Sequence, residues 1–183
     1  GAILGDRIRM SEHVADPGVF VRSLASRGHL GGLSRATAHV IDLMDAAGWD
    51  TIILETVGAG QSEFEMTDLA HTNIVLLAPG LGDDIQAMKA GILEIADILV
   101  VNKADLPGAG TTASQLKSML SLRPDSGGEV PVIETVATTG AGVDQLADAV
   151  SNQLGARDKP GGEHQRRQWF RKMLANAAIQ QLD

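Results

Sequence analysis

An α/β domain, built on a mainly parallel sheet with helices on both faces, is predicted by three features of the sequence. Short continuous apolar runs recur at Thr51-Ile52-Ile53-Leu54, Ile74-Val75-Leu76-Leu77 and Ile98-Leu99-Val100-Val101. Their β-branched content suits strands buried on both faces. Longer stretches of helical periodicity alternate with these runs, which is the pattern of right-handed strand–helix–strand units. Loops rich in glycine and polar residues follow the runs, where such a sheet places its ligand-binding residues.

Each element has a local reason. Thr37, Val40, Ile41, Met44 and Ala47 share one helical face, with Ser34 as N-cap and Gly48 as the stop. Ile85, Met88, Ile92 and Ile95 form a second apolar stripe, interrupted by Gly91, a residue that weakens a helix by about 1 kcal/mol relative to alanine. Leu116, Met119 and Leu120 mark a third helix, and Val143, Leu146, Ala147 and Val150 a fourth. Between them Val130-Pro131-Val132-Ile133 reads as a strand whose proline fits a start or edge position. Gly155 to Gly162 is the expected linker, and Trp169, Phe170, Met173, Leu174 and Ala177 line one face of a C-terminal packing helix. The expected organisation is a partial catalytic domain over 1–154, the linker over 155–162 and a helix over 163–183 that begins a dimerisation region.

With 183 residues, 44% of them apolar, the chain can form one α/β domain with a real core. It has no cysteine, which excludes disulfides and thiolate chemistry. The net charge of −8 argues against nonspecific nucleic-acid binding. No apolar run approaches the length that crosses a bilayer. A cytoplasmic protein with protein or small-molecule partners is expected.

The most informative residues are Asn102-Lys103-Ala104-Asp105, directly after a predicted strand. An N-K-x-D loop in that position reads guanine. The base presents a ring N–H and an exocyclic amine side by side, and the Asp105 carboxylate can accept both. Adenine lacks that donor pair, and a buried carboxylate left unpaired costs about 1–3 kcal/mol or more. The Lys103 stem can cover the flat base, while Asn102 can tie neighbouring loops together. Glu55-Thr56-Val57-Gly58 follows an earlier predicted strand. An acid at such a strand tip suits a magnesium ion, usually through water, and Gly58 lets backbone approach the terminal phosphate. The same acid also fits a helix cap. Val136-Ala137-Thr138-Thr139-Gly140 follows the last predicted strand and could offer backbone N–H groups to the guanine carbonyl. Gly58 to Glu63 and Pro79 to Asp84 are glycine-rich loops with the freedom a nucleotide switch needs. Asp6, Arg7 and Arg9 could serve magnesium, phosphate or a surface ion pair.

Several long stretches, in order, closely resemble the MeaB/ArgK family: Gly1 to Met10, Arg27-Gly28-His29-Leu30-Gly31-Gly32, Glu55 to Glu63, Gly82-Asp83-Asp84-Ile85-Gln86 and Asn102 to Asp105. These are GTPases associated with methylmalonyl-CoA mutase, formerly described as lysine/arginine/ornithine transport ATPases. The resemblance runs from residue 1 to about 150. It implies a P-loop NTPase-type three-layer fold, GTP or GDP as ligand and Mg2+ as cofactor. It also implies a homodimeric full-length protein that supports cofactor loading and protection of an adenosylcobalamin-dependent acyl-CoA mutase. By the same resemblance Asp6 and Glu55 lie near magnesium, and Glu55 and Gln61 serve catalysis. Gln61, Ser62 and Glu63 belong to one switch. Gly82, Asp83, Asp84, Gln86 and Lys89 belong to a second that communicates with the mutase.

The sequence departs from the family in two places. No G-x-x-x-x-G-K-S/T loop occurs in the chain. Without its amides and lysine the phosphates lose most of their cradle, so weak GTP binding and little turnover are expected of these 183 residues alone. Val136 stands where a serine is common. Two other functions stay open: a metal-delivering GTPase for another metalloenzyme, or a non-catalytic fragment that only binds a partner. The first usually brings Cys or His clusters, whereas His13, His29, His39, His71 and His164 are scattered.

Overall fold

The computed structural model describes residues 10, 13, 15–24, 35–56, 69–80, 92–122 and 129–157. The chain divides into two compact units, Gly1–Met66 and Thr67–Asp183.

In the first unit, helix α1 spans Arg35–Ala46. Thr37 is buried, and Val40, Ile41 and Met44 are half-buried on the predicted face. The helix ends as its glycine requires. Gly48 takes φ 84°, its N–H donates to the Asp45 carbonyl at 3.0 Å, and the Trp49 N–H reaches back to the Met44 carbonyl at 3.1 Å. This double closure is a Schellman motif, which satisfies carbonyls the last turn would otherwise orphan. Trp49 then meets Phe20, with ring centroids 6.1 Å apart and planes tilted by 41°. The predicted cap Ser34 lies outside the described residues.

Residues 51–56 correct the prediction of a buried strand. They form no strand, and exposure alternates along them, with Ile53 88% exposed. A parallel strand draws its hydrogen bonds from neighbouring chain segments, and among the described residues none pairs with this one. Glu55 is exposed and Thr56 half-buried at its end.

The second unit holds an all-parallel three-stranded sheet in the order β1 (Ile74–Leu77), β2 (Ile98–Val101), β3 (Val132–Glu134). The α/β architecture expected of a P-loop NTPase-type fold is therefore present. All four residues of β2 are fully buried, because both faces of this central strand are covered. On one face Leu77, Leu99 and Val101 pack with Ala109, Ala113 and Leu116 of α3 (Ala109–Leu120). Ala96, just after the short helix α2 (Ile92–Ile95), joins them. On the other face Ile98, Val100 and Ile133 meet Leu146, Ala149 and Val150 of α4 (Val143–Arg157). The sheet lies between helices, as a three-layer fold requires.

Two details differ from the sequence reading. In β1, Ile74 and Leu76 are 43% and 61% exposed. They pair with Ile98 and Val100 and so lie on the face of α4, but the apolar residues of α4 pack on β2 and β3. In α4, Ala149 packs against the sheet while Ala147 and Val143 are exposed. The last strand begins one residue after Pro131, which has no N–H, yet the Pro131 carbonyl accepts from Leu99 N–H at 2.9 Å. Helix α4 continues to Arg157, into the stretch expected as linker. The predicted C-terminal helix and the Ile85–Met88 part of the second helix lie outside the described residues. No described helix is long and apolar enough to cross a membrane.

Candidate functional site

The site grows from the C-terminal ends of β2 and β3. Leaving β2, the Asn102 N–H donates to the Leu77 carbonyl at 2.8 Å, extending the ladder by one bond. From β3, the Thr135 N–H donates to the Val101 carbonyl at 2.9 Å, and the Thr135 carbonyl accepts from Ala104 N–H at 3.0 Å. The chain must therefore turn within Asn102 and Lys103. Lys103 does so at φ 57°, the one left-handed non-glycine among the described residues, a conformation disfavoured for a residue with a Cβ. The Leu106 N–H returns to the Lys103 carbonyl at 3.0 Å and closes the turn.

The half-buried Asn102 joins this loop to the next. Its Oδ1 accepts from the Thr135 hydroxyl at 3.2 Å and from the Ala137 N–H at 3.1 Å. A backbone N–H can only donate, so the atom facing it must be the oxygen, and the amide nitrogen is turned away. Lys103 and Asp105 are exposed. Asp105 has no hydrogen-bond or ion-pair partner among the described residues. The geometry is a rigid frame that presents a cation and an unpaired carboxylate.

The loop after β3 is held just as closely. Val136 and Ala141 form an antiparallel bridge, with the Val136 N–H donating to the Ala141 carbonyl at 2.9 Å. The Thr139 and Gly140 N–H groups both donate to the Val136 carbonyl at 3.0 Å, and Gly140 takes φ 79°. Gly142, at φ 75°, passes so close to β3 that an added Cβ would collide with the Glu134 carbonyl oxygen. Of the three N–H groups expected to meet a guanine carbonyl, those of Val136 and Ala137 are engaged within the chain. The exposed Thr138 N–H has no partner among the described residues.

The structure thus brings Asn102, Lys103, Asp105, Val136, Ala137 and Thr138 together at one end of the sheet. Glu55 is exposed at the end of the extended segment in the first unit. Asp6, Gly58, Gln61, Ser62, Glu63, Gly82, Asp83, Asp84, Gln86 and Lys89 lie outside the described residues. No group of three or more metal-ligating side chains occurs among the described residues. Thr135, 4% exposed, was not singled out from the sequence. Its signal was its place directly after a predicted strand and before the small-residue loop.

Comparison with known proteins agrees with this geometry. The family model described as methylmalonyl-CoA mutase-associated GTPase MeaB matches residues 1–182. A Pyrococcus horikoshii protein named as an inferred GTPase is 53% identical over 154 residues, covering 82% of this chain and 49% of the relative. A similarly named Pyrococcus abyssi protein is 48% identical over 165 residues, covering 88% and 51%. The mouse mitochondrial methylmalonic aciduria type A homolog is 37% identical over 155 residues, covering 82% and 37%. The chain spans about half the length of the two archaeal relatives. With the family match running over nearly all of its residues, the chain belongs to the MeaB family of methylmalonyl-CoA mutase-associated GTPases.

Proposed function

We propose that this chain is the guanine-reading part of a GTPase that supports cofactor loading and protection of an adenosylcobalamin-dependent acyl-CoA mutase. The observation that carries the reading is the Asp105 carboxylate, exposed and without a described partner, on a loop locked through Asn102 to the loop after β3. A carboxylate held in this way suits the paired donors of guanine, and a preformed site loses little freedom on binding. The exposed Lys103 stem covers the base, and the Thr138 N–H is the donor best placed for its carbonyl oxygen. Membership of the family supports the mutase as partner.

The remaining roles follow the same reading. Residues 1–154 form part of the GTPase domain, 155–162 link it onward, and 163–183 begin the dimerisation region of a homodimer. Mg2+, a hard cation that prefers oxygen donors, would be held by the Glu55 and Asp6 carboxylates and would neutralise phosphate charge. Glu55 and Gln61 act at the phosphate, with Gly58 close by. Gln61, Ser62 and Glu63 form one switch, and Gly82, Asp83, Asp84, Gln86 and Lys89 carry its state to the mutase.

The test is an NMR titration of the 183-residue chain with GDP and with ADP. GDP should shift the Ala104, Asp105 and Thr138 amides at lower concentration than ADP. Asp105→Ala should weaken GDP binding by about tenfold or more while leaving ADP unaffected, as expected when one partner of a charged hydrogen-bond pair is removed. Equal affinity for the two nucleotides, or shifts confined to other residues, would overturn the reading.

A further inference from the structure

We propose that Thr135 is a positioning residue for the base-reading loop, acting through Asn102 to set the orientation of Lys103 and Asp105. The inference rests on the guanine-reading function above and deepens it.

Thr135 brackets the loop from within. Its backbone bonds both to Val101, before the turn, and to Ala104, after it. These two bonds alone would be made by any residue continuing β3. The hydroxyl is different. At 4% exposure it needs a partner, and that partner is the Asn102 Oδ1 at 3.2 Å. The same oxygen receives the Ala137 N–H, so the hydroxyl and the third loop converge on one atom. Remove the hydroxyl and Asn102 keeps a single tether. Its side chain then gains rotational freedom beside Lys103, whose left-handed backbone survives only where its surroundings over-determine it. Relaxation at that residue moves Asp105 two positions on. Recognition of a donor pair depends on both acceptor oxygens being aligned at once, so misorientation should cost discrimination before it costs general affinity.

Inosine diphosphate supplies the probe, because its base keeps the ring N–H and carbonyl but lacks the exocyclic amine. The 183-residue chain is titrated with GDP, inosine diphosphate and ADP, as the natural sequence and as Thr135→Val and Thr135→Ser. Valine keeps the branched shape but has no hydroxyl, whereas serine keeps the hydroxyl. Thr135→Val should weaken GDP binding by about tenfold and inosine diphosphate binding by less, as loss of one charge-assisted contact predicts. Thr135→Ser should restore the GDP preference. A Thr135→Val chain that retains the full preference, or loses affinity for all three nucleotides equally, overturns the positioning role and leaves the guanine reading standing. Failure of the natural chain to prefer GDP over ADP overturns both. A second measurement needs no variant: GDP at saturation should slow hydrogen exchange at the Ala104 and Ala137 amides, and unchanged exchange also overturns the proposal.

Discussion

Two acid-bearing loops, each following an apolar run of four residues, have opposite supports. The run Ile98–Val101 is fully buried, and the loop after it is fixed by bonds from β1 and from the loop after β3. The run Thr51–Leu54 forms no strand, and Glu55 stands exposed at the end of an extended segment. Both acids belong to recognised nucleotide motifs. What separates them is where the supporting hydrogen bonds come from. The base-reading loop draws all of its described supports from residues within 77–141, whereas the Glu55 segment finds no ladder partner among the described residues. A motif marks what a residue can do; the register of its neighbours decides whether it is held ready to do it.

The largest test of this contrast is in the core beneath the first loop. Leu99 is fully buried between Leu77, Val101 and the α3 residues. Leu99→Ala should lower the free energy of unfolding by about 2–5 kcal/mol, through lost burial plus an unfilled cavity. Denaturant unfolding monitored by circular dichroism would measure it. A loss below about 1 kcal/mol would show that the core collapses around the smaller side chain and that the loop does not stand on a rigid base.

Next in size is Gly142. Its left-handed φ and its approach to the Glu134 carbonyl both exclude a Cβ. Gly142→Ala should cost roughly 1–3 kcal/mol. Gly140, with φ 79° but open space around it, should cost less on the same substitution, about 1 kcal/mol from backbone strain alone. Equal costs at the two positions would remove the close approach as a cause. The pair therefore separates conformational strain from steric contact within one loop.

How much of this was legible in the sequence follows from the range of each interaction. Ile98–Val101 read correctly because a central strand declares itself by a continuous apolar run. The Schellman end of α1 was legible in Gly48, since the glycine needs only local geometry. The position of Asn102 to Asp105 after a strand was legible for the same reason. The run Thr51–Leu54 looked alike but was misread, because pairing depends on chain segments that periodicity does not reveal. Ile74–Leu77 was half misread, since α4 packs on β2 and β3 and leaves one face of β1 open. Thr135 was invisible because its role comes from cross-strand register. Val101 pairs with Glu134, which puts the next residue of β3 beside Asn102, and no spacing within the sequence encodes that pairing.

The smallest effect belongs to Ile53, where the contrast is easiest to break. A side chain 88% exposed contributes little burial, so Ile53→Ser should change stability by no more than about 0.5 kcal/mol, the usual range for surface positions. The same large-to-small change in β2 removes a fully buried side chain, so the two substitutions bracket the range that one residue type can span. Denaturant unfolding of the 183-residue chain compares them directly. If Ile53→Ser instead costs more than about 1 kcal/mol, the side chain is buried in solution. The segment would then pack as a strand does, and Glu55 would rest on support comparable to that beneath Asn102. The difference between the two loops would then lie in their chemistry alone, with Glu55 suited to a metal and Asp105 to a base.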